Sequence, residues 1–249
     1  GNGGLSWVND HIEAFINIGG PLLGVPKALS ALLSELGAFG IYVLERFFSK
    51  RERSELFRTW GGLSSMLPKG GAAIWGNTTH APDDREKAMN TFGSLLTLRS
   101  FIHNKLDNND TNQTAAEIIY KHTSTTGINF LQQNTDSFYN KMLSNNYSFG
   151  MATSEDEISD DMKDHTKWTN PLESRLPYAP EMKIYCLYGW GKETERSYYY
   201  SHDYTDDYTD SNESSSEDTY KFLNSLFIDS SFNSDHDPNI KSGVHNGEG

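Results

Sequence analysis

The sequence predicts an α/β fold in which a sheet is interrupted by a large helical insertion. Two short runs rich in β-branched and aromatic residues, Ile12–Ile18 and Met182–Tyr188, read as strands closed by glycine. More than half of the 249 residues lie between them, and that stretch is mostly helical in character. In α/β proteins such insertions commonly cap a site at the carboxyl ends of the strands.

The elements follow in order. Ile12–Ile18 ends at Gly19-Gly20-Pro21, a sharp turn. From Lys27 to Trp60 the pattern is helical, with a long apolar stretch from Ala28 to Phe48. Gly61–Gly76 is a Gly/Pro-rich loop containing Pro68-Lys69-Gly70-Gly71. Asp83–Ile102 reads as a helix with an acidic first turn, and Thr114-Ala115-Ala116-Glu117 has capping-box spacing ahead of Ile118 and Ile119. Residues 128–145 and 154–165 are further helix candidates. A connector with three prolines, Asn170–Pro180, leads into the second strand, and Ser197–Tyr200 continues extended. Residues 201–219 hold seven Asp or Glu, no Lys or Arg and a serine triplet, so a mobile insertion is expected there. Phe222–Ile228 regains strand character, and Gly243–Gly249 is a Gly-rich end.

Composition excludes more than it selects. The formal net charge of -13 argues against nucleic acid, whose phosphates are bound by clustered Lys and Arg. Gly1–Asp10 has neither the basic start nor the apolar run of a signal peptide. The single cysteine, Cys186, cannot make a disulfide framework or a zinc site alone. Asn77, Asn109, Asn112, Asn146 and Asn212 head Asn-x-Ser/Thr sequons in polar stretches, which makes them glycosylation candidates.

Chemistry is scarce. A Gly-x-Ser-x-Gly elbow, which forces a nucleophilic serine into an exposed turn, is absent. Gly4-Leu5-Ser6-Trp7-Val8 and Gly62-Leu63-Ser64-Ser65-Met66 both fail at the second glycine, so Ser6 and Ser64 read as turn residues. The eight histidines show no metal spacing, and Asp235-His236-Asp237 reads as a solvated polar loop. No metal or cofactor is expected.

Three longer stretches carry more. They are Ile18-Gly19-Gly20-Pro21-Leu22-Leu23-Gly24-Val25-Pro26-Lys27-Ala28, then Trp60–Gly71 continuing to Ile74-Trp75-Gly76. The third is Trp168–Glu173 with Met182–Gly189 and Thr194-Glu195-Arg196-Ser197-Tyr198. In this order they resemble the phospholipid:diacylglycerol acyltransferases of the lecithin:cholesterol acyltransferase family. The resemblance implies an α/β-hydrolase-type fold, with residues 1–28 in the core, 29–180 forming lid and helical cap, and 181–249 returning to the core. It implies acyl transfer from a phospholipid donor to a diacylglycerol acceptor, giving triacylglycerol, by a serine with a histidine base and an orienting aspartate. The family's serine would lie before Gly1 and its aspartate and histidine after Gly249, so these residues alone are expected to be inactive. The implied setting is the endoplasmic reticulum membrane, with the catalytic domain lumenal. A non-catalytic lipid-binding glycoprotein, or a phospholipase of the same family, are the alternatives.

By the same resemblance Leu22–Trp60 is the lid region. Leu29, Leu32, Leu33, Leu36, Ile41, Leu44, Phe47 and Phe48 are spaced to form a broad apolar face, with Gly37 and Gly40 as a weak point. The face serves either lipid or a permanent core. The lecithin:cholesterol branch implies a disulfide from Cys186 to a cysteine further along, whereas by itself a strand cysteine reads as a small buried hydrophobe.

Overall fold

The computed structural model describes residues 6–34, 47–86, 90–102, 116–202, 226–233 and 237–248 of the chain. A short helix, α1 (Trp7–His11), precedes strand β1 (Ala14–Ile18). The helices α2 (Pro26–Ser34), α3 (Lys50–Arg58), α4 (Gly61–Ser65) and α5 (Gly71–Trp75) come next. Strands β2 (Leu96–Ile102) and β3 (Ala116–His122) follow, then α6 (Ser124–Gln133), α7 (Ser137–Asn146) and α8 (Glu155–Asp161). The chain ends in β4 (Lys183–Leu187), β5 (Glu193–His202), β6 (Leu226–Ile228), β7 (Ile240–Lys241) and β8 (Val244–Glu248).

Among the described residues the strands form two sheets. β1 and β4 pair in parallel from Ala14↔Lys183 to Ile18↔Leu187, joining the two segments that the sequence marks as strands. The other sheet runs β3-β2-β5-β8-β7, with β6 also on β5. In it β2 and β5 are parallel and every other pairing is antiparallel. Mixed helix and strand therefore holds, but the insertion is not simply helical. Leu96 and Leu98 alternate with Thr97 and Arg99, a period of two, so the helix expected over Asp83–Ile102 gives way to loop and β2. The capping-box spacing at Thr114 does not start a helix either. Ile118, Ile119 and Tyr120 suit a pleated surface and lie in β3, paired with β2 from Leu96↔His122 to Ile102↔Ala116. The Gly-rich end is β8, and the Gly/Pro-rich loop carries two one-turn helices, α4 and α5.

The core lies between one face of the larger sheet and the helices. Ala28, Leu29, Ala31, Leu32 and Leu33 of α2 meet Leu96, Leu98, Tyr198 and Tyr200 of the sheet, with Ile128, Leu131, Tyr139 and Leu143 of α6 and α7 closing the other side. Two buried polar contacts fix α2. Ser30 Oγ and the Tyr200 hydroxyl are 2.6 Å apart, and the Arg58 guanidinium donates to the Leu32 carbonyl at 3.0 Å, satisfying the end of the helix from α3. Side-chain caps start four of the other helices. Ser49 and Glu52 make a reciprocal box on α3, and Thr123, Asp136 and Ser154 cap α6, α7 and α8. Among the described residues no helix is long and apolar enough to cross a membrane.

Leu29, Leu32 and Leu33 are thus core residues and not an exposed lid face. Leu32→Ala should lower unfolding free energy by about 2–5 kcal/mol, the usual loss for a buried leucine whose site cannot collapse. Urea unfolding checks this.

Candidate functional site

The glycine-rich stretches are zipped together. Val25 N–H donates to the Met66 carbonyl at 2.8 Å and Lys69 N–H to the Leu23 carbonyl at 2.9 Å. Gly24 has φ +87, and a Cβ there would lie 2.3 Å from the Leu67 carbonyl oxygen, so only glycine permits this approach. Upstream, the Asn17 side chain accepts from Gly20 N–H and shapes the turn that ends β1. Because β1 and β4 are parallel, their carboxyl ends coincide. There Ile18 is 76% and Trp190 85% exposed, with Leu22, Leu187 and Tyr188 exposed beside them. Phe15, Ile16, Ile184 and Tyr185 of the same strands are exposed as well. Parallel strands are normally covered on both faces, so this pair is an apolar surface without its layers among the described residues.

Lys69 lies below the zipped loops and is only 2% exposed. Its ammonium donates to the Ser65 carbonyl, while the Trp75 indole donates to the Lys69 carbonyl at 2.8 Å. Burial pushes the Lys69 amine below its ordinary value. Ser64 is buried in α4 with its hydroxyl 3.2 Å from that of Tyr139, in no nucleophile's geometry. Burial, the largest influence, pushes the Tyr139 phenol up to about 12 and keeps it protonated.

Arg196 organises the join between loops and sheet. β5 and β8 shift register between Glu195 and Ser197, and this bulge turns Arg196 inward, where it is 8% exposed. Its guanidinium donates Nε to Asp83 Oδ2 at 2.8 Å and Nη2 to Asp83 Oδ1 at 3.0 Å. It also donates to the carbonyls of Phe92 at 3.2 Å and Trp75 at 3.1 Å, and it lies over the Trp75 and Phe92 rings. On the neighbouring strand His245, 1% exposed, pairs through Nε2 with Asp237 at 3.0 Å and lies tilted against the Phe92 ring. Its Nδ1 has no partner among the described residues. Asp237 is therefore buried rather than part of a solvated loop. Burial outweighs the nearby Asp237 and Asp84 charges and lowers the His245 value below 6.5.

The Trp168–Glu173 motif is a clamp. Asn170, fully buried, donates to the Gly150 carbonyl at 2.9 Å and to Glu173 at 2.6 Å, and its own oxygen accepts from Leu172 N–H. Lys167 joins it to α8 through Asp161 at 2.5 Å.

The expected site residues divide. Leu29, Leu32 and Leu33 are in the core, while Leu36, Ile41 and Leu44 fall outside the described residues. Phe47 is 72% exposed and Phe48 also exposed, just before α3. Asn77 and Asn146 are exposed; Asn109, Asn112 and Asn212 are outside the described residues. Cys186 is an exposed free thiol in β4, not a buried hydrophobe. Ser201 and His202 belong to β5, and the rest of the expected acidic insertion lies outside the described residues. Among the described residues no cluster of three His, Cys, Asp or Glu could hold a metal ion. Sequence reasoning missed Arg196 with Asp83, His245 with Asp237, and Lys69. Lys69 stood in the Pro68-Lys69-Gly70-Gly71 run, Arg196 in the Thr194–Tyr198 stretch and Asp237 in Asp235-His236-Asp237, but nothing local pointed to Asp83 or His245 as their partners.

The family model for lecithin:cholesterol acyltransferase matches residues 2–243. The chain is 46% identical over 213 residues to a Schizosaccharomyces pombe protein named phospholipid:diacylglycerol acyltransferase, covering 82% of this chain and 31% of that protein. A Saccharomyces cerevisiae protein of the same name is 38% identical over 211 residues, covering 82% of this chain and 30% of its own length. Arabidopsis thaliana phospholipid:diacylglycerol acyltransferase 1 is 26% identical over 313 residues, covering 100% of this chain and 44% of its own. The chain thus spans about a third of the length of the two yeast relatives. No solved structure matches it significantly.

Two outcomes follow from the Arg196 and His245 environments. Arg196→Lys keeps the charge but loses the two-pronged Asp83 contact and most of the stacking, and it should lower unfolding free energy by about 1–3 kcal/mol in urea titrations. His245 binds its proton more weakly when folded than its ordinary 6.5. The unfolded chain then holds more protons as pH falls below that value, so stability declines on acidification and is fully present above it. His245→Gln should flatten the slope of stability between roughly pH 6.5 and 5, as read by thermal melts across that window.

Proposed function

The chain belongs to the lecithin:cholesterol acyltransferase family, and from that premise we propose that it is part of an enzyme moving an acyl chain from phospholipid to diacylglycerol, with triacylglycerol and a lysophospholipid as products. The observation that carries the reading is 46% and 38% identity, over 82% of this chain, to two proteins named for that reaction. In this reading residues 1–28 and 181–249 contribute to an α/β-hydrolase-type core and 29–180 to lid and cap. The two-faced apolar exposure of β1 and β4 supports it, since further layers of the same core would cover them. Serine nucleophile, histidine base and orienting aspartate are assigned to segments of the complete protein beyond these residues. The proposed setting is the lumenal side of the endoplasmic reticulum membrane, with Asn77 and Asn146 exposed for glycosylation.

Labelled phospholipid supplied to the complete protein should yield labelled triacylglycerol only when diacylglycerol is present. Label released as free fatty acid regardless of diacylglycerol would make the protein a hydrolase and sink the reading. These 249 residues alone should form no triacylglycerol above background.

Phe47 and Phe48 remain as lid residues that could meet lipid. Replacing both with serine in the complete protein should reduce activity on membrane-embedded phospholipid at least several-fold more than on a short soluble ester. Equal loss on both substrates, with a lower melting temperature, would return them to a structural role. Cys186, exposed at a strand that other layers are proposed to cover, should be recovered in a disulfide-linked peptide from the unreduced complete protein; recovery only as free thiol would oppose this.

A further inference from the structure

The larger sheet has a second face. Thr97 pairs with Lys121 on one side and Tyr199 on the other, and Arg99 with Ile119 and Ser201, so these residues point away from the core that Leu96, Leu98, Tyr198 and Tyr200 line. Over them, the loop at Asn90–Ser94 and Phe232 enclose a pocket of 240 Å³.

Its lining carries hydroxyl donors without a partner among the described residues. Ser94, Thr97 and Tyr199 are each more than nine-tenths buried. Among the described residues none of the three hydroxyls has a hydrogen-bond partner, and of their oxygens only that of Ser94 is itself buried. The Thr97 and Tyr199 oxygens open onto the pocket as donors for an occupant, whereas the Ser94 oxygen is closed off from it. Lys121 is exposed at the rim and makes no ion pair among the described residues. Arg99 lies beside it, its charge balanced by Asp229 at 2.9 Å. Asp229 is itself fully engaged. Burial pushes its carboxyl up, but hydrogen bonds from Ser231 and Ser201 and the Arg99 charge outweigh this and leave it below the ordinary carboxylate value. Asp237, the other acid that influences Tyr199, is outside the lining and bonded to His245 and Asn239.

We propose that this pocket binds the oxyanion of a phosphate ester, with the Thr97 and Tyr199 hydroxyls and the Arg99 guanidinium along its floor and Lys121 closing on it from the rim. A phosphate group offers only acceptors, which matches a lining of idle donors plus one unpaired cation. The volume lies below the roughly 300–1,000 Å³ of sites that enclose drug-sized ligands, so it admits a headgroup-sized fragment and not an acyl chain. The Tyr199 phenol, pushed up to about 12 by burial first and Asp237 second, stays protonated and donates. The site does not depend on acyl transfer by the complete protein and is read by binding alone.

The complete protein is titrated with inorganic phosphate and with glycerol 3-phosphate, followed by phosphorus NMR, and its retention on phosphatidylcholine vesicles is measured with and without phosphatidic acid. Saturable phosphate binding, weakened about tenfold in Lys121→Gln and again in Thr97→Val, is the expected result, since each removes one donor and the first a charge-assisted one. Lys121 is exposed, so its variant should melt at the wild-type temperature. Retention that rises with phosphatidic acid and falls in Lys121→Gln assigns the site to a lipid headgroup. Saturation by the soluble compounds without vesicle retention assigns it to a soluble phosphate ester. Absence of saturable phosphate binding, with vesicle retention indifferent to both substitutions, overturns the proposal, as does binding that neither substitution weakens.

Discussion

A single buried guanidinium sets how the loops of this protein meet its sheet. Arg196 could not be buried at a profit as a lone charge, because desolvation of an ion exceeds what one contact returns. Here it is fully used: two bonds to Asp83, two to the carbonyls of Trp75 and Phe92, and contact with the rings of Trp75 and Phe92. Lysine cannot reproduce this, since its donors sit on one atom and its head is not planar. The bulge in β5 is what makes the arrangement possible. An unbulged strand would keep strict alternation and place residue 196 differently, leaving the loops at Trp75, Asp83 and Phe92 without their common tie.

From that tie the two sheets diverge in burial. β5 follows β4 after a short connection and enters a sheet whose inner face is filled by tyrosines and leucines against α2. β1 and β4 have no such cover among the described residues and expose apolar side chains on both faces. One half of the chain is therefore a finished core and the other a surface that calls for more structure, which agrees with a chain spanning about a third of its yeast relatives. The glycine motifs lie at the boundary. Gly24 allows backbone to touch backbone beside Leu67, so the loops after β1 and α4 lock into one unit beneath the exposed carboxyl ends.

What the sequence showed was governed by the range of the interactions responsible. β1 and β4 were legible because each is a continuous apolar run ended by glycine, a local signal. The single helix candidate over 128–145 fell on two helices, α6 and α7, split where Asp136 caps the second, and the candidate over 154–165 fell on α8. β2 and β3 were not, because acidic residues ahead of β2 imitate a helix start and Thr114 imitates a cap, while the pairing that decides the matter is between strands. α2 showed an apolar face, yet whether that face meets lipid or core depends on Tyr198 and Tyr200, far along the chain. Arg196 and Asp83 are 113 residues apart, and no local pattern links them. The motif containing Arg196 carried the family resemblance without revealing why an arginine stands there.

Charge separates the two ways in which this chain could approach lipid. With a formal net charge of -13, long-range forces oppose approach to an anionic membrane leaflet, where basic residues would each contribute roughly 1 kcal/mol of attraction. Proposed contact with a membrane must then come from apolar and aromatic side chains such as Phe47 and Trp190, which bury area without regard to surface potential. The phosphate-ester pocket works at the opposite scale. Lys121 and the idle hydroxyls act over a few ångströms, inside the distance at which salt and the rest of the protein screen one another. A ligand there gains from contact and geometry after arrival and nothing from steering. Modest affinity with firm dependence on individual donors is the behaviour such a site must have, because the field of the whole chain works against it until the contacts form.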